Sequence, residues 1–508
     1  MENMKKINSA LVSVYHKDRL DEIVKLLVDN NIKIYSTGGT YDFIKKMGIE
    51  TFTVESLTQY PSILGGRVKT LHPKVFGGIL ARRENETDLS QMAEYAIPEI
   101  DLVIVDLYPF EETVASTTNQ AEIIEKIDIG GISLIRAAAK NYNDVAIIPS
   151  KEQYDFLINL LKEKKGCTTL EDRLYLAAQA FNVSSHYDSA IFGYFQTKTA
   201  IDAFKFSVQG KQEMRYGENP HQKGAFYGDL DKVFEQLHGK AISYNNLIDL
   251  ESALNLVNEF TETTFAIIKH TNACGIASRS NPVDAWKAAL AGDPVSAYGG
   301  VIVTNCVIDL ETAQEINKLF FEIIFAEGYN DDALEVLKTK KNRIILQKKS
   351  NTYSPVQFRS VLNGVLVQDK DLKVETVEDL KVATNKQPDS SLTGDLLFAN
   401  IVVKHTKSNA IVVVKDKQLL GSGVGQTSRV DSTNHAIEKA HEFGFDLNGS
   451  VLASDAFFPF ADCVEIAHKA GVIAFIQPGG SVRDQDSIDY CNKNDLPMIM
   501  TGFRHFKH

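Results

Sequence analysis

The sequence predicts an α/β protein of more than one domain, and three observations lead there. Short apolar runs alternate with helical spacings of apolar residues from the start of the chain. Several of those runs end on glycine, hydroxyl or basic residues, where open α/β sheets hold their ligands. The length, 508 residues, exceeds what one core accommodates, and roughly 100–200 residues per domain predicts two to four domains. Hydrophobic residues at 44% and charged ones at 24% allow a sizeable core. Lys and Arg number 54 against 66 Asp and Glu, a net charge of −12, which argues against general binding to nucleic acid or anionic membranes. An anionic ligand must then be gathered by local clusters of Arg and Lys. Cys167, Cys274, Cys306, Cys463 and Cys491 are scattered with no Cys-x-x-Cys pair. That predicts a reduced, cytoplasmic chain without a disulfide framework or a cysteine-rich zinc site. Residues 1–6 lead into a short strand rather than a signal-peptide core, and no run of 18 apolar residues occurs.

Taken in order, residues 10–14 form a strand, 18–28 a helix (Leu20, Ile23, Val24, Leu27) and 33–36 a second strand. Ser36-Thr37-Gly38-Gly39-Thr40 follows and opens another helix. Bare N–H groups and the helix dipole make such a turn a natural phosphate cradle, although turns of this kind are also simple connectors. Leu64-Gly65-Gly66-Arg67-Val68-Lys69-Thr70 adds glycines for close backbone approach and two cations. Strand 102–105 ends in Asp106-Leu107-Tyr108-Pro109-Phe110, which puts a phenol at a further strand end. Asp128-Ile129-Gly130-Gly131 precedes a strong helix former carrying Arg136 and Lys140 on one face. Residues 151–198 are helical and close a first domain, 1–199.

Residues 200–508 form the second part. Arg215 and Tyr216 lie in a loop dense in polar and turn residues. Residues 250–260 are a helix, then strand 265–268 stops on Lys269-His270. Imidazole is the side chain whose proton affinity lies near neutrality, and a neighbouring ammonium favours its uncharged form. Such a pair can take a proton from one reactant while steadying an oxyanion on another; it is also consistent with a polar strand end. A helix at 284–291 and a glycine-interrupted strand at 295–304 come next. A comparable order recurs: strand 410–414, a glycine turn at 421–426, helix 430–443, strand 451–453, helix 462–470 and strand 472–476. Two similar α/β units are thus expected, although identity between them is faint. The glycine turn lacks the helix entry of a dinucleotide site. Asn409 is placed to donate an amide hydrogen bond to an oxyanion. Phe457, Phe458 and Phe460 suit either a flat heterocycle or the core, and Arg504 either an anion clamp or a plain surface charge. No His-x-Glu followed by Pro-Cys-x-x-Cys supports a deaminase-type zinc centre.

Eight stretches, in order, resemble one family along almost the whole chain: 64–73, 106–110, 128–140, 215–222, 269–275, 407–410, 454–460 and 502–506. It is the family of bifunctional purine-biosynthesis enzymes that join AICAR formyltransferase to IMP cyclohydrolase. The resemblance implies a methylglyoxal-synthase-like parallel-sheet domain for cyclisation. It also implies tandem cytidine-deaminase-like units, without their zinc, for formyl transfer. It further implies a homodimer with transferase sites at the subunit interface, 10-formyltetrahydrofolate as co-substrate, no metal in the chemistry, and room for a monovalent cation. By resemblance His270 is the base, with Lys269 and Asn409 assisting; Arg215 and Tyr216 grip the nucleotide, Arg429 and Arg504 bind substrate, and Asp455 and Phe457 match the folate-side loop. Lys69, Tyr108, Asp128 and Lys140 form the cyclising set, and Ser13, Lys17, Ser36, Thr37, Gly38, Gly39, Thr40, Arg67 and Thr70 hold its nucleotide. Three places depart from the family pattern: Tyr15-His16 where Ser-Asp is usual, Asp106 for asparagine, and Asn400-Ile401 for Trp-Lys.

Overall fold

The computed structural model describes residues 4–350 and 354–508; residues 1–3, part of the expected lead-in to the first strand, lie outside them. Two compact units emerge, 1–208 and 209–508. The boundary falls nine residues beyond the expected 199 because the segment after the long helix α4 (Leu170–Gln196) returns onto it. There Gln196 Nε2 donates to the carbonyls of Ile201 and Ala203, and Ser207 Oγ bonds the His186 ring.

Unit 1 is a five-stranded parallel sheet. Its strands are β1 (Ser9–Ser13), β2 (Lys33–Ser36), β3 (Phe52–Thr53), β4 (Leu102–Val105) and β5 (Ala146–Ile148), in the order β3-β2-β1-β4-β5. All four pairings are parallel. Helices α1 (Leu20–Asp29), α2 (Gly38–Lys46) and α3 (Gly130–Lys140) cover the sheet along with α4. Strands β4 and β5 are apolar and buried throughout, and β1 is so over Ala10–Val12, as expected for a sheet covered on both faces. The chain starts in the middle and winds both ways, so the order reverses between β1 and β4. That switch point opens a crevice at the strands' carboxyl ends.

Unit 2 holds one twelve-stranded sheet made of two halves with the same topology. The first half contains β6 (Phe234–His238), α5 (Tyr244–Val257), the hairpin β7 (Thr264–Lys269) and β8 (Asn272–Ser278), α6 (Pro282–Gly292), β9 (Val301–Thr304), β10 (Ile323–Ala326) and β11 (Ile344–Lys348). The second repeats it as β12 (Lys381–Val382), α7 (Ser390–Lys404), hairpin β13 (Ile411–Lys415) and β14 (Gln418–Gly423), α8 (Arg429–Glu442), β15 (Ser450–Ser454), β16 (Val472–Gln477) and β17 (Met498–Met500). Sheet order is β6-β11-β10-β9-β7-β8-β14-β13-β15-β16-β17-β12, and the halves meet where Ala277 pairs with Gln418. Both hairpins carry a bulge at the same place, Ile267/Ile268 and Val413/Val414.

The hairpins correct two expectations. The strand stops at Lys269, as expected, but the chain does not go on to a helix: His270 and Thr271 form a two-residue turn, both at positive φ (50° and 65°), leading straight into β8. Residues 421–423 are the end of β14, not a turn. Their glycines are there because α8 presses on the strand: a Cβ at Gly421 would sit 2.1 Å from the Ala436 carbonyl oxygen, and one at Gly423 1.9 Å from that of Ser432. Gly275 plays the same part in the first half, 1.9 Å from the Ala289 carbonyl oxygen. The expected strand 295–304 shortens to β9 for want of pairing before Val301.

Candidate active sites

In unit 1 the crevice at the switch point is a cavity of about 650 Å³. Ser13 and Lys17 reach it from the end of β1, Thr37, Gly38, Gly39 and Thr40 from the start of α2, and Arg67, Lys69 and Thr70 from the glycine loop. Tyr108 and Asp128 line it as well. Ser36 does not: it is buried, and its hydroxyl donates to the Val12 carbonyl at 2.8 Å. Lys140 does not either. It is exposed at the far end of α3, about 15 Å of helix from Gly130.

Two helices start at this cavity: α2 after Thr37, which makes no side-chain cap, and α3 after Ile129, where the Asp128 carboxylate takes the Gly131 N–H of the first turn. Unsatisfied N–H groups and the positive ends of two helix dipoles therefore face the same space, which favours a phosphate or another anion. Thr37 instead bonds Ser13 (2.8 Å between hydroxyl oxygens), and Thr40 both accepts from the Val14 N–H and donates to the Val14 carbonyl. These contacts tie the end of β1 to α2. Lys69 lies against the glycines: a Cβ at Gly66, where φ is +92°, would meet Lys69 Cε at 2.8 Å, and one at Gly38 would meet its ammonium at 3.4 Å. Glycine is what lets that lysine fold over the loop. Arg67 is paired with Glu125 at the rim.

Asp128 is the half-buried carboxylate of this cavity. Burial raises its pKa, the charge of Asp106 adds to that, and backbone amides of Gly131 and Tyr108 oppose it. Gly131 N–H donates to it at 2.6 Å. Tyr108 is likewise raised by burial first, then by Asp128, Glu125 and Tyr15. Tyr187 and Lys126, which sequence reasoning did not single out, support the pair together with Tyr15. Tyr187, on α4, accepts from the Asp128 backbone N–H at 2.8 Å and donates to the Lys126 carbonyl at 2.6 Å. The Tyr15 ring meets that of Tyr108 edge-on at 5.5 Å, and the Lys126 ammonium lies over both rings. No local pattern marks Tyr187, which is 59 residues from its partner.

The departures Tyr15-His16 and Asp106 turn out to be partners. The Asp106 carboxylate accepts from the Tyr15 and His16 backbone amides and from His16 Nδ1 (2.8 Å). Its oxygens hold the chain's own donors rather than standing free against an anion.

In unit 2 the turn at Lys269-His270 is exposed at His270 and tightly held beneath. Lys269 Nζ donates to the Tyr298 carbonyl at 2.8 Å. Asp249, on α5, accepts from the Thr271 N–H at 2.7 Å; burial raises its pKa while the charges of His270 and Lys269 work the other way. Asn272 Nδ2 donates to the His270 carbonyl, and Asn272 Oδ1 accepts from the Lys407 N–H. One residue thus joins the turn to the segment that carries Asn409. Asn409 donates its amide to the Gln426 carbonyl (3.0 Å) and accepts from Arg429 (2.9 Å), so its N–H₂ is engaged within the chain. Arg429 and Asp455 are buried, paired with each other, and further bonded to Ser454 and Ser408. Arg215, Phe457 and Arg504 are exposed and Tyr216 partly so. Arg215 lies over the Tyr216 ring and donates to its hydroxyl, and Arg504 lies over Phe506. Phe458 is core, whereas Phe460 is exposed under Arg483.

His505 shows how the neighbouring segment is anchored. Its ring, 3% exposed, bonds Asp371 at 2.6 Å and Glu375 at 2.9 Å, and Asn400, one of the departures, donates to the same Glu375. Burial works against a charge on His505, yet the two carboxylates outweigh it and raise its pKa to about 9. A raised imidazole pKa stabilises the fold fully below its unfolded value of about 6.5, and that stability is lost as pH rises through the folded value. The contribution is at most about 3 kcal/mol. Thermal melts of parent and His505→Gln should therefore differ most near pH ~6 and converge by pH ~10; a gap that does not change with pH contradicts this assignment.

Among the described residues no cluster of three or more His, Cys, Asp or Glu is arranged to hold a metal ion, and no helix is long and apolar enough to cross a membrane.

A family model described as AICARFT/IMPCHase bienzyme matches residues 138–439, and one described as an MGS-like domain matches 19–133. The chain is 61% identical over 508 residues to the "Bifunctional purine biosynthesis protein PurH" of Bacteroides thetaiotaomicron, with all of both chains covered. It is 45% identical to the protein of that name from Caldicellulosiruptor saccharolyticus, covering 98% of this chain and 99% of the other. For the one from Aquifex aeolicus the figures are 46%, 98% and 100%.

Proposed function

This chain belongs to the AICARFT/IMPCHase bienzyme family, and from that premise we propose how its two units divide the work. Unit 2 transfers a formyl group from 10-formyltetrahydrofolate to the amine of AICAR. Unit 1 closes the resulting formyl-AICAR to IMP with loss of water. The observation that carries the reading is the cavity of unit 1, where two helix starts, Lys69 and Lys17 surround a carboxylate of raised pKa. An anionic nucleotide and a proton-handling group are what ring closure needs.

The AICAR amine is conjugated with its ring and is a poor nucleophile. His270 takes its proton as the nitrogen attacks the formyl carbon; Lys269, held by the Tyr298 carbonyl, stands beside the imidazole. The tetrahedral oxyanion needs a donor, and Asn409 serves if substrate displaces one of the two carbonyls that its amide now bonds. Arg215, Tyr216 and Arg504 are the exposed groups available to the nucleotide, and Phe457 to the flat pterin. In unit 1 the carboxamide nitrogen attacks the formyl carbon. Asp128, with Tyr108 and Lys69 alongside, moves the proton from that nitrogen toward the departing hydroxyl. Lys140 belongs to this set by resemblance alone. The test is direct: AICAR and 10-formyltetrahydrofolate given to the purified chain should yield IMP. Binding of AICAR with no product would leave a sensor in place of an enzyme.

The same reading includes a homodimer in a reducing, cytoplasmic setting. It draws support from the hairpin Val356–Val361/Gly364–Asp369, a two-stranded ribbon exposing Leu362, Val365, Leu366 and Val367. Isolated ribbons are marginal in water, so a second copy covering this one would account for it. Leu366→Asp should shift the mass in solution toward the monomer; an unchanged mass would place the interface elsewhere.

A further inference from the structure

The two hairpin turns of unit 2 offer an internal comparison. Each is a two-residue turn at positive φ: His270-Thr271 in the first half and Asp416-Lys417 in the second. Each is cradled by an aspartate at the same place on the preceding helix, Asp249 on α5 and Asp395 on α7, six residues into each. Asp249 accepts from the Thr271 N–H, and Asp395 from the N–H groups of Asp416 and Lys417. One turn of helix further on, the halves part company. The first has Ser252, whose hydroxyl donates to the Thr271 carbonyl at 2.7 Å; the second has Phe398, and the Lys417 carbonyl takes the Ser278 backbone N–H instead.

Into the first turn alone comes Lys507. Its ammonium donates to the Thr271 carbonyl (3.3 Å), to Ser252 Oγ (3.0 Å) and to the His405 carbonyl (2.8 Å). Its backbone is paired on both sides with Ser408: the Ser408 N–H donates to the Lys507 carbonyl at 2.9 Å, and the Lys507 N–H donates to Ser408 Oγ. Ser408 is the neighbour of Asn409 and also bonds Asp455. One lysine therefore connects the His270 turn of the first half to the Asn409 segment of the second.

We propose that Lys507 is a positioning residue for formyl transfer, which with Ser252 fixes the His270 turn against the Asn409 segment. The proposal rests on His270 being the base of that reaction. The second turn has a cationic tie of its own, Arg279, which donates to the Asp416 carbonyl (2.7 Å) and the Lys417 carbonyl (3.4 Å); the tie through Lys507 and Ser252 is particular to the turn that carries His270. Keeping an ammonium there has a cost, since burial and then the charge of Lys407 pull Lys507 down to about 8, with only Glu251 opposing.

The experiment uses the full chain with Lys507→Met, Lys507→Arg, Ser252→Ala and His270→Ala, each assayed for formyl transfer and separately for cyclisation of supplied formyl-AICAR. A base displaced by about 1 Å can cost on the order of 10²-fold. Lys507→Met is expected to lower kcat for formyl transfer at least about tenfold, with KM for both substrates and cyclisation unchanged. Ser252→Ala should follow in the same direction, and Lys507→Arg should recover most of the rate. Parental kcat in Lys507→Met, with His270→Ala inactive, overturns the proposal and leaves the base assignment standing. Parental transfer in His270→Ala overturns the assignment itself. If Lys507→Met loses both activities, Ser252→Ala decides: parental kcat there overturns the proposal, and a selective loss of kcat upholds it.

Discussion

His270→Ala is expected to lower formyl transfer by about 10²–10⁴-fold, the usual worth of a positioned general base, while supplied formyl-AICAR is still cyclised at the parental rate. The split follows from where the residue sits. His270 is exposed at a turn in unit 2, and no residue of the unit 1 cavity belongs to that unit. The turn itself should survive, because its φ values are supported by Asp249, Asn272 and Ser252, none of which bonds the imidazole. Asparagine tolerates positive φ better than alanine, so His270→Asn is the companion variant. Equal loss in both excludes a merely strained turn. Formyl transfer within a few-fold of the parent in either variant would remove His270 from the chemistry.

How far this was legible in the sequence varies with the range of the interaction. Strands 33–36 and 102–105 are read to the residue, since a buried parallel strand is an unbroken apolar run with polar ends. The phosphate-type turn and the glycine loop are likewise local patterns, and the cavity gathers both. What failed was whatever depends on a partner far along the chain. Glycines 421 and 423 read as a turn because nothing local reveals that α8 lies against them. Nor does anything local show that the Asn409 amide bonds Gln426 and Thr427, which the β13–β14 hairpin brings back to it. His16 and Asp106 looked like two separate blemishes, yet 90 residues apart they form one hydrogen-bonded pair. The duplication in unit 2 is plain in the strand order and nearly invisible in residue identity. It survives where sterics allow one choice, at Gly275 and Gly421, and where a turn needs a cradle, at Asp249 and Asp395.

Asp128→Asn carries the second large effect: cyclisation should fall by about 10²–10⁴-fold, with formyl transfer untouched and formyl-AICAR accumulating when both substrates are supplied. Its thermal stability should not fall with its activity. A carboxyl whose folded pKa is raised favours the protonated form of the fold, so near neutral pH the ionised Asp128 costs stability. Asparagine removes that charge and keeps an oxygen for the Gly131 N–H. Unit 1 should then melt no lower than the parent, as befits a group kept for chemistry rather than for packing. The pH profile gives an independent reading. As pH falls through its raised pKa, Asp128 is protonated and its capacity as a base is lost. The acidic limb of cyclisation therefore lies above the ordinary carboxylate range. Burial is the larger cause and Asp106 the next, so Asp106→Asn should move that limb to lower pH. A limb that stays put in Asp106→Asn, or full cyclisation in Asp128→Asn, would assign the proton transfer to another group, with Tyr108 and Lys69 the nearest candidates in the cavity.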